Sequence, residues 1–356
     1  MRFKLLPLAL FTVLLLTSAA LAQNNAAALA NLPEADTIIY ISPQRIFNEA
    51  APRVMSAADL TKMRSQFADI KKSTGLDPSS IEYVVLAVRF NKPATDLSFV
   101  APDVMAVMGG DFTADSLTAL AQIYLQDKTR VEKYGSKSIT MLKVEPIAAQ
   151  ADKTPILKAY SEIGIVALSA NSIAIGNLHY LKAAIDATEG NGRISPATLQ
   201  SLLRDPNALA SASGTPLAAA LKSIGMMGLE NTSRPSHCDT PFGNFYAAIT
   251  MSGTNFNLRG AMNADNPDTA KIINNLLSPL IQEGVNSVSD KQVQKMLQNV
   301  RMSVRDNEIV VEADIPEKSV SDFLWAPPVA VSAPNPKPPV VRKPVLPSRK
   351  KRTRKN

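Results

Sequence analysis

Apolar and polar residues alternate along this chain with two periods. Where apolar residues recur at every second position the chain reads as extended, and where they recur at every third or fourth it reads as helical. The first extended run is Thr37-Ile38-Ile39-Tyr40-Ile41. Ser42-Pro43 then opens a short helix through Phe47, with serine as cap and proline in the first turn. A longer helix is predicted at 57–73, where Leu60, Met63, Phe67 and Ile70 form one apolar face. Strands follow at 81–90 and 104–108, the second ending in Gly109-Gly110, and Thr113 caps a helix over 114–126 with Leu117, Leu120 and Tyr124 inward. Two hairpins come next: 131–134 with 138–144 across Gly135-Ser136, and 163–169 with 173–175 across Asn171-Ser172. A helix carrying Leu178, Leu181 and Ile185 closes this stretch before Glu189-Gly190-Asn191-Gly192.

The pattern then restarts. Ser195-Pro196 opens a helix to Leu203, a short strand is predicted at 208–212, and Thr215-Pro216 caps another helix to Ile224. A loop over 228–243 precedes a hairpin of 245–251 with 255–262. Asn266-Pro267 starts a long helix to Glu283, with Ile273, Leu276, Leu277 and Leu280 expected inward. A helix near 289–298, a hairpin of 300–304 with 309–315 and a short helix over 316–323 complete the pattern.

Hairpins outnumber strand–helix–strand crossovers, so the expected class is α+β: mainly antiparallel sheets built from hairpins, with helices packed on one face. The order of elements suggests two similar halves. A strand feeds a capped helix at 104–126 and again at 255–283, and a hairpin feeds a helix at 163–187 and again at 300–323. Residue identity between the halves is slight, and duplication stands beside ordinary α+β regularity as the alternative. The expected boundaries are 33–192 for the first half and 193–325 for the second, after a loosely ordered Ala/Asn-rich stretch at 23–32.

Both ends read differently from the body. Residues 1–22 have the order of a secretory signal: basic Arg2 and Lys4, an apolar run over 5–16, and Ala20-Leu21-Ala22 before Gln23. That run is too short to cross a bilayer core of roughly 30 Å. No cysteine lies near the cleavage point to take a lipid, and no other stretch is long and apolar enough to span. The expected location is therefore the periplasm or the medium. Residues 326–356 hold nine basic residues, no acidic one and eight of the 25 prolines. Proline fixes φ and lacks a donor, so this tail is read as a disordered, semi-rigid polyproline-like segment, reaching roughly 65 Å at about 3.1 Å per residue. Its tip, Arg349, Lys350, Lys351, Arg352, Arg354 and Lys355, is a candidate polyanion-binding cluster. Export directs that cluster to anionic lipid headgroups, lipopolysaccharide or acidic wall polymers. Nucleic acid is not expected in an exported protein, and no aromatic residues are interleaved with the charges for base stacking.

Charge changes the picture once it is apportioned. The whole chain is +7, but two of its 38 basic residues lie in the leader and nine in the tail, so residues 23–325 carry 27 against 31 acidic residues, a charge of −4. The body is mildly acidic and the basicity belongs to an appendage.

Candidate chemistry is sparse. One cysteine excludes an internal disulfide, and two histidines exclude a His-rich metal site. His237-Cys238-Asp239 sets three catalytic residue types side by side, but neighbours in an extended chain point opposite ways, and an ordinary surface loop accounts for them as well. His179, at the start of a helix, reads as a surface or cap residue before a general base. No G-x-S-x-G elbow, H-E-x-x-H motif or paired-cysteine spacing is present. Met108-Gly109-Gly110-Asp111 is faintly like an anion-binding loop, but it lacks the P-loop lysine and reads as a strand-end turn. Asp111 and Asp115 flank a helix start, where carboxylates suit the dipole anyway. No catalytic residue, metal or cofactor is assigned.

Leu32-Pro33-Glu34-Ala35-Asp36-Thr37, Tyr40-Ile41-Ser42-Pro43-Gln44-Arg45-Ile46 and Asn263-Ala264-Asp265-Asn266-Pro267-Asp268-Thr269-Ala270 resemble a group of uncharacterised secreted proteins, a domain of unknown function, from acidobacteria-like soil bacteria. The resemblance covers most of 32–325 and implies export, with no activity attached. The leading functional expectation is a non-enzymatic cell-envelope binding or interaction protein. The alternatives are a secreted hydrolase with a carboxylate or His/Cys site, and a chaperone-like or lipid-handling protein with an apolar groove.

Overall fold

The computed structural model describes residues 26, 29–90, 102–124, 129–143, 160–215, 242–287, 294–295 and 298–324. The leader, the tail, the helices expected over 215–224 and near 289–298, and His237-Cys238-Asp239 lie outside or largely outside them.

Every described strand joins one antiparallel sheet. The first seven are β1 (Thr37–Ile41), β2 (Ile81–Arg89), β3 (Asp103–Gly110), β4 (Thr129–Tyr134), β5 (Lys137–Lys143), β6 (Glu162–Ser169) and β7 (Ser172–Gly176). The remaining five are β8 (Ala210–Gly214), β9 (Phe242–Ser252), β10 (Asn255–Ala264), β11 (Arg301–Arg305) and β12 (Glu308–Pro316). The order across the sheet is β11-β12-β10-β9-β8-β1-β2-β3-β7-β6-β5-β4. The α+β class and the hairpin-built antiparallel pairing are therefore present, with all the hairpins fused into one sheet. The seam is β1 against β8, with Thr37 opposite Gly214 and Ile41 opposite Ala210. The strands before and after residue 193 occupy opposite sides of that seam. On each side the sheet runs outward through three strands, β1-β2-β3 and β8-β9-β10, before it meets the strand that closes a later hairpin, β7 or β12.

The main helices are α1 (Ala57–Thr74), α2 (Ala114–Tyr124), α3 (Leu178–Thr188), α4 (Pro196–Leu202), α5 (Pro267–Ser287) and α6 (Glu317–Leu324). A helical stretch over 43–54, partly π-helical, links β1 to α1. Local chemistry sets the ends. Ser56 accepts from the Asp59 N–H to cap α1, and Gly75 at φ 73° closes it. Ser195 accepts from the Thr198 N–H ahead of Pro196 in α4. Asn266 does the same for Thr269 in α5.

The larger core lies between α3, α4 and one face of β1–β3 and β5–β7, here called the back face. Leu181 and Ile185 of α3 and Leu202 of α4 pack with Ile38, Val85, Met105, Met141 and Val166. Each such side chain contributes about 1.5–3 kcal/mol by leaving water. Gly164 lets α3 settle, because a Cβ there would lie 2.5 Å from Leu181 Cδ1. Gly109 and Gly110 serve packing in the same way: a Cβ on the first would meet the Tyr83 ring at 2.3 Å, and on the second the Ser80 carbonyl oxygen at 2.3 Å. These contacts explain the glycine turn without an anion. Leu29 and Leu32, from the stretch read as loosely ordered, are buried in this core.

On the other side of the seam the cover changes face. α5 packs Ala270, Ile273 and Leu277 against Ala264, Ile309, Met262 and Met302, on the front of β10–β12. Leu276 and Leu280, expected inward, are instead exposed, as is Ile272. The apolar set of α5 is wider than the strip the sheet can cover. α2 also lies on the front, where Gln122 donates to Thr140 of β5 at 2.7 Å. Each side of the sheet thus has helices chiefly on one face, and the covered face switches across the seam.

Candidate functional site

The switch leaves the front of β1, β2, β3 and β7 without a helix among the described residues. The register brings Ile39 opposite Leu86, Leu86 opposite Ala106, Ala106 opposite Ile175 and Ile175 opposite Ile165. Side chains opposite one another in a sheet share a face, so this row is a continuous apolar strip. Leu86 is 39% exposed and Ile175 36%. A cavity of about 270 Å³ sits on the strip, lined by Leu86, Val88, Val104, Ala106, Ile163 and Ile175, with Tyr160 and Asn177 at its margin. The Tyr160 hydroxyl donates to the Pro102 carbonyl, and its pKa is raised by burial and by the charge of Asp103.

At the same end of these strands a polar cluster closes the back-face core. Asp103, at the start of β3, is buried. Its Oδ2 accepts from Arg89 Nη2 at 2.7 Å and from Arg89 Nε at 3.1 Å, and lies 3.0 Å from His179 Nδ1. Its Oδ1 accepts from Asn177 Nδ2 at 2.7 Å. Burial alone would raise the Asp103 pKa; the hydrogen bonds from Arg89, Asn177 and His179 outweigh it and hold the carboxyl below its ordinary range. Asn177 precedes α3 but makes no side-chain cap bond; its Oδ1 instead accepts from the Val104 N–H at 2.9 Å, tying β3 to the helix start. The Arg89 guanidinium also lies 4.8 Å from the centre of the Tyr180 ring, and the Tyr180 hydroxyl donates to the Glu34 carbonyl at 3.0 Å. Burial raises the Tyr180 pKa well above its ordinary value.

His179 therefore does more than decorate a helix surface. His179 Nδ1 lies within hydrogen-bond distance of Asp103 Oδ2, and the side chain, 73% exposed, turns its Nε2 edge away from that carboxylate. Arg89 Nη2 stands 3.3 Å from the same Nδ1. Among the described residues His179 meets Asp103 and Arg89, and no nucleophilic hydroxyl or thiol. An oriented imidazole is one part of a hydrolytic site. Sequence reasoning missed this pair because Asp103 lies 76 residues away at the start of a strand, and neither residue belongs to a motif.

The other sequence candidates separate cleanly. Asp111 and Asp115 are exposed beside the start of α2. Among the described residues no group of three His, Cys, Asp or Glu side chains comes together to hold a metal ion. No described helix is long and apolar enough to cross a membrane. His237-Cys238-Asp239 and the basic cluster at 349–355 fall outside the described residues.

No family model matches the chain. No curated protein matches it either. Among solved structures, crystal form III of TP0453 is similar at a TM-score of 0.43 and 10% identity, covering 83% of this chain and 96% of that one. Crystal form I of TP0453 is similar at 0.39 and 11%, covering 83% and 95%. Likeness at this level carries no functional argument.

Proposed function

We propose that this chain is an exported, non-enzymatic envelope-binding protein whose open sheet face takes the acyl chain of a lipid. One observation carries the reading: the apolar strip Ile39–Leu86–Ala106–Ile175 lies on the front of β1, β2, β3 and β7, which no described helix covers, with a cavity of about 270 Å³ upon it. Contiguous exposed apolar surface on a folded protein marks a binding site. The volume is near the lower end of the roughly 300–1,000 Å³ of ligand sites, which suits one unbranched chain. The leader supplies the address. The basic tail, through Arg349, Lys350, Lys351, Arg352, Arg354 and Lys355, would hold the protein near anionic headgroups or wall polymers. The matching strand order on either side of the seam supports reading the body as two similar halves.

The test is titration of the mature chain with a fluorescent long-chain fatty acid. Saturable binding is expected, and the double variant Leu86→Lys, Ile175→Lys should lose it while keeping its circular dichroism spectrum. Equal binding by the variant overturns the reading. Deleting 326–356 should leave fatty-acid binding intact and abolish low-salt binding to anionic vesicles. The hydrolase alternative rests on the His179–Asp103 pair. It would gain support only if the mature chain turned over an ester substrate and His179→Ala abolished that turnover.

A further inference from the structure

The cavity on the apolar strip has two polar side chains at its margin, Tyr160 and Asn177, and each is already committed within the protein. The Tyr160 hydroxyl gives its proton to the Pro102 carbonyl. Asn177 Nδ2 donates to Asp103 Oδ1 at 2.7 Å, and Asn177 Oδ1 accepts from the Val104 N–H at 2.9 Å. The other lining side chains are apolar. Charge is turned away as well. Val88, Val104 and Ile163 line the cavity from the front, so their neighbours Arg89, Asp103 and Glu162 point to the back. There Arg89 pairs with Asp103 and Glu162 with Arg130. His179 stands on α3, behind the sheet. Glu82, at the bulge of β2 beside Gly110, and Lys133, beside the Gly135-Ser136 turn, lie at the opposite end of the strands. The charge felt at the cavity margin is negative: after burial, Asp103 is what raises the Tyr160 pKa. A carboxylate drawn into this cavity would lose its water, meet no cation among the described residues and face Asp103. Burying a charge without a partner is costly, whereas a hydrocarbon chain entering methyl end first leaves its polar end in water.

We propose that the strip reads the chain and not the polar end: it takes an acyl chain methyl end first, from an ester-linked membrane lipid as readily as from a free fatty acid. This rests on the acyl-chain reading of the strip and adds the class of lipid. A site discriminates strongly between polar ligands when the wrong one leaves the site's own buried groups unpaired. Here those groups are paired before any ligand arrives, so a carboxylate, an ester and a phospholipid headgroup all look alike to the cavity.

The test uses the mature full-length chain in about 1 M salt, where the charges of the basic tail are screened. Lauric acid, methyl laurate and lauroyl lysophospholipids with choline and with glycerol headgroups compete for the bound fluorescent fatty acid. Their affinities should agree within about threefold. Tyr160→Phe should leave all of them unchanged, because that hydroxyl serves the Pro102 carbonyl and not the ligand. Ala106→Phe, which fills the floor of the cavity, should weaken all of them together by about tenfold or more. A preference of more than about threefold for the free acid or for one headgroup would overturn this inference and leave the acyl-chain reading standing. So would a ligand that Tyr160→Phe weakens, or one whose affinity Ala106→Phe leaves unchanged while the others fall. No saturable binding of any of them would overturn both.

Discussion

β2 and β12 are both nine-residue strands of the same sheet, yet each exposes a face of opposite character. On β12, Ile309, Val311, Ala313 and Ile315 face α5 and its neighbours, while Glu312 and Asp314 on the other face meet Arg259, Arg301 and Arg305. That alternation is the signature of an antiparallel strand with one solvated side. On β2, from Tyr83 to Val88, both faces are apolar: Tyr83, Val85 and Ala87 lie under the helices, and Val84, Leu86 and Val88 lie on the open front. A strand apolar on both sides belongs between two layers, and among the described residues β2 has one. The charged open face is complete as it stands, because water and ion pairs satisfy it. The apolar open face is not, and this asymmetry is the physical basis for placing a ligand on one and not the other.

The sharpest way to break that comparison is to truncate one residue on each side of the sheet. Ile185→Ala, in the covered core, should cost about 3 kcal/mol of unfolding free energy from lost burial and the cavity left behind. Leu86→Ala, on the open front, should cost about 1 kcal/mol or less, because the leucine is already partly in water. Urea denaturation of the two variants reads the ratio. Near-equal losses would mean that the front is covered in solution, and the ligand proposal would lose its footing.

The polar cluster at the strand ends gives the next largest effect. Asp103→Ala leaves the Arg89 guanidinium, Asn177 and His179 without their common acceptor, and should cost about 2–3 kcal/mol; the partial exposure of Arg89 keeps the figure below that for a fully buried pair. The same geometry sets a pH dependence. The folded-state pKa of Asp103 is depressed, so its contribution is fully present above the unfolded value of about 3.9 and is lost as pH falls through the lower folded value. Urea midpoints should fall between pH 5 and pH 2, a window of about three units around these values. The fall should be shallower in Asp103→Asn. An unchanged slope in that variant would remove Asp103 from the account.

How much of this was legible in the sequence follows the range of the interaction. The hairpins were, since each turn sits between its own strands: Ala170-Asn171 between β6 and β7, one residue before the expected Asn171-Ser172, and Asp306-Asn307 between β11 and β12. Asp306 takes φ 54°, a conformation aspartate tolerates in tight turns. Helix starts were legible for the same reason, through Ser195 and Asn266. The fusion into one sheet was not, because it hangs on β1 meeting β8 with Thr37 opposite Gly214, and no local pattern names a partner so far along the chain. Gly214 carries a trace of that meeting: at φ 152° its Cβ position would lie 2.0 Å from the Asp36 carbonyl oxygen. The outward Leu276 and Leu280 were misread because spacing defines an apolar face without saying how wide a strip the sheet can cover. The His179–Asp103 pair was invisible because it joins a helix start to a strand start far apart in the chain.

The smallest effect is expected on the charged face, and it completes the comparison. Glu312 accepts from Arg305 at 3.3 Å and lies 3.4 Å from Arg259, and all three side chains are at least partly exposed. Exposed pairs of this kind contribute about 0.2–1 kcal/mol, offset by the entropy of holding long side chains and screened by salt. Glu312→Gln should therefore shift the urea midpoint by an amount equivalent to about 0.5 kcal/mol or less, and the shift should shrink further at high salt. A solvated face allows no more than that, since water replaces each lost contact. A loss near 2 kcal/mol that persisted at high salt would show that this face is buried in solution, and the two open faces of the sheet would then need the same explanation.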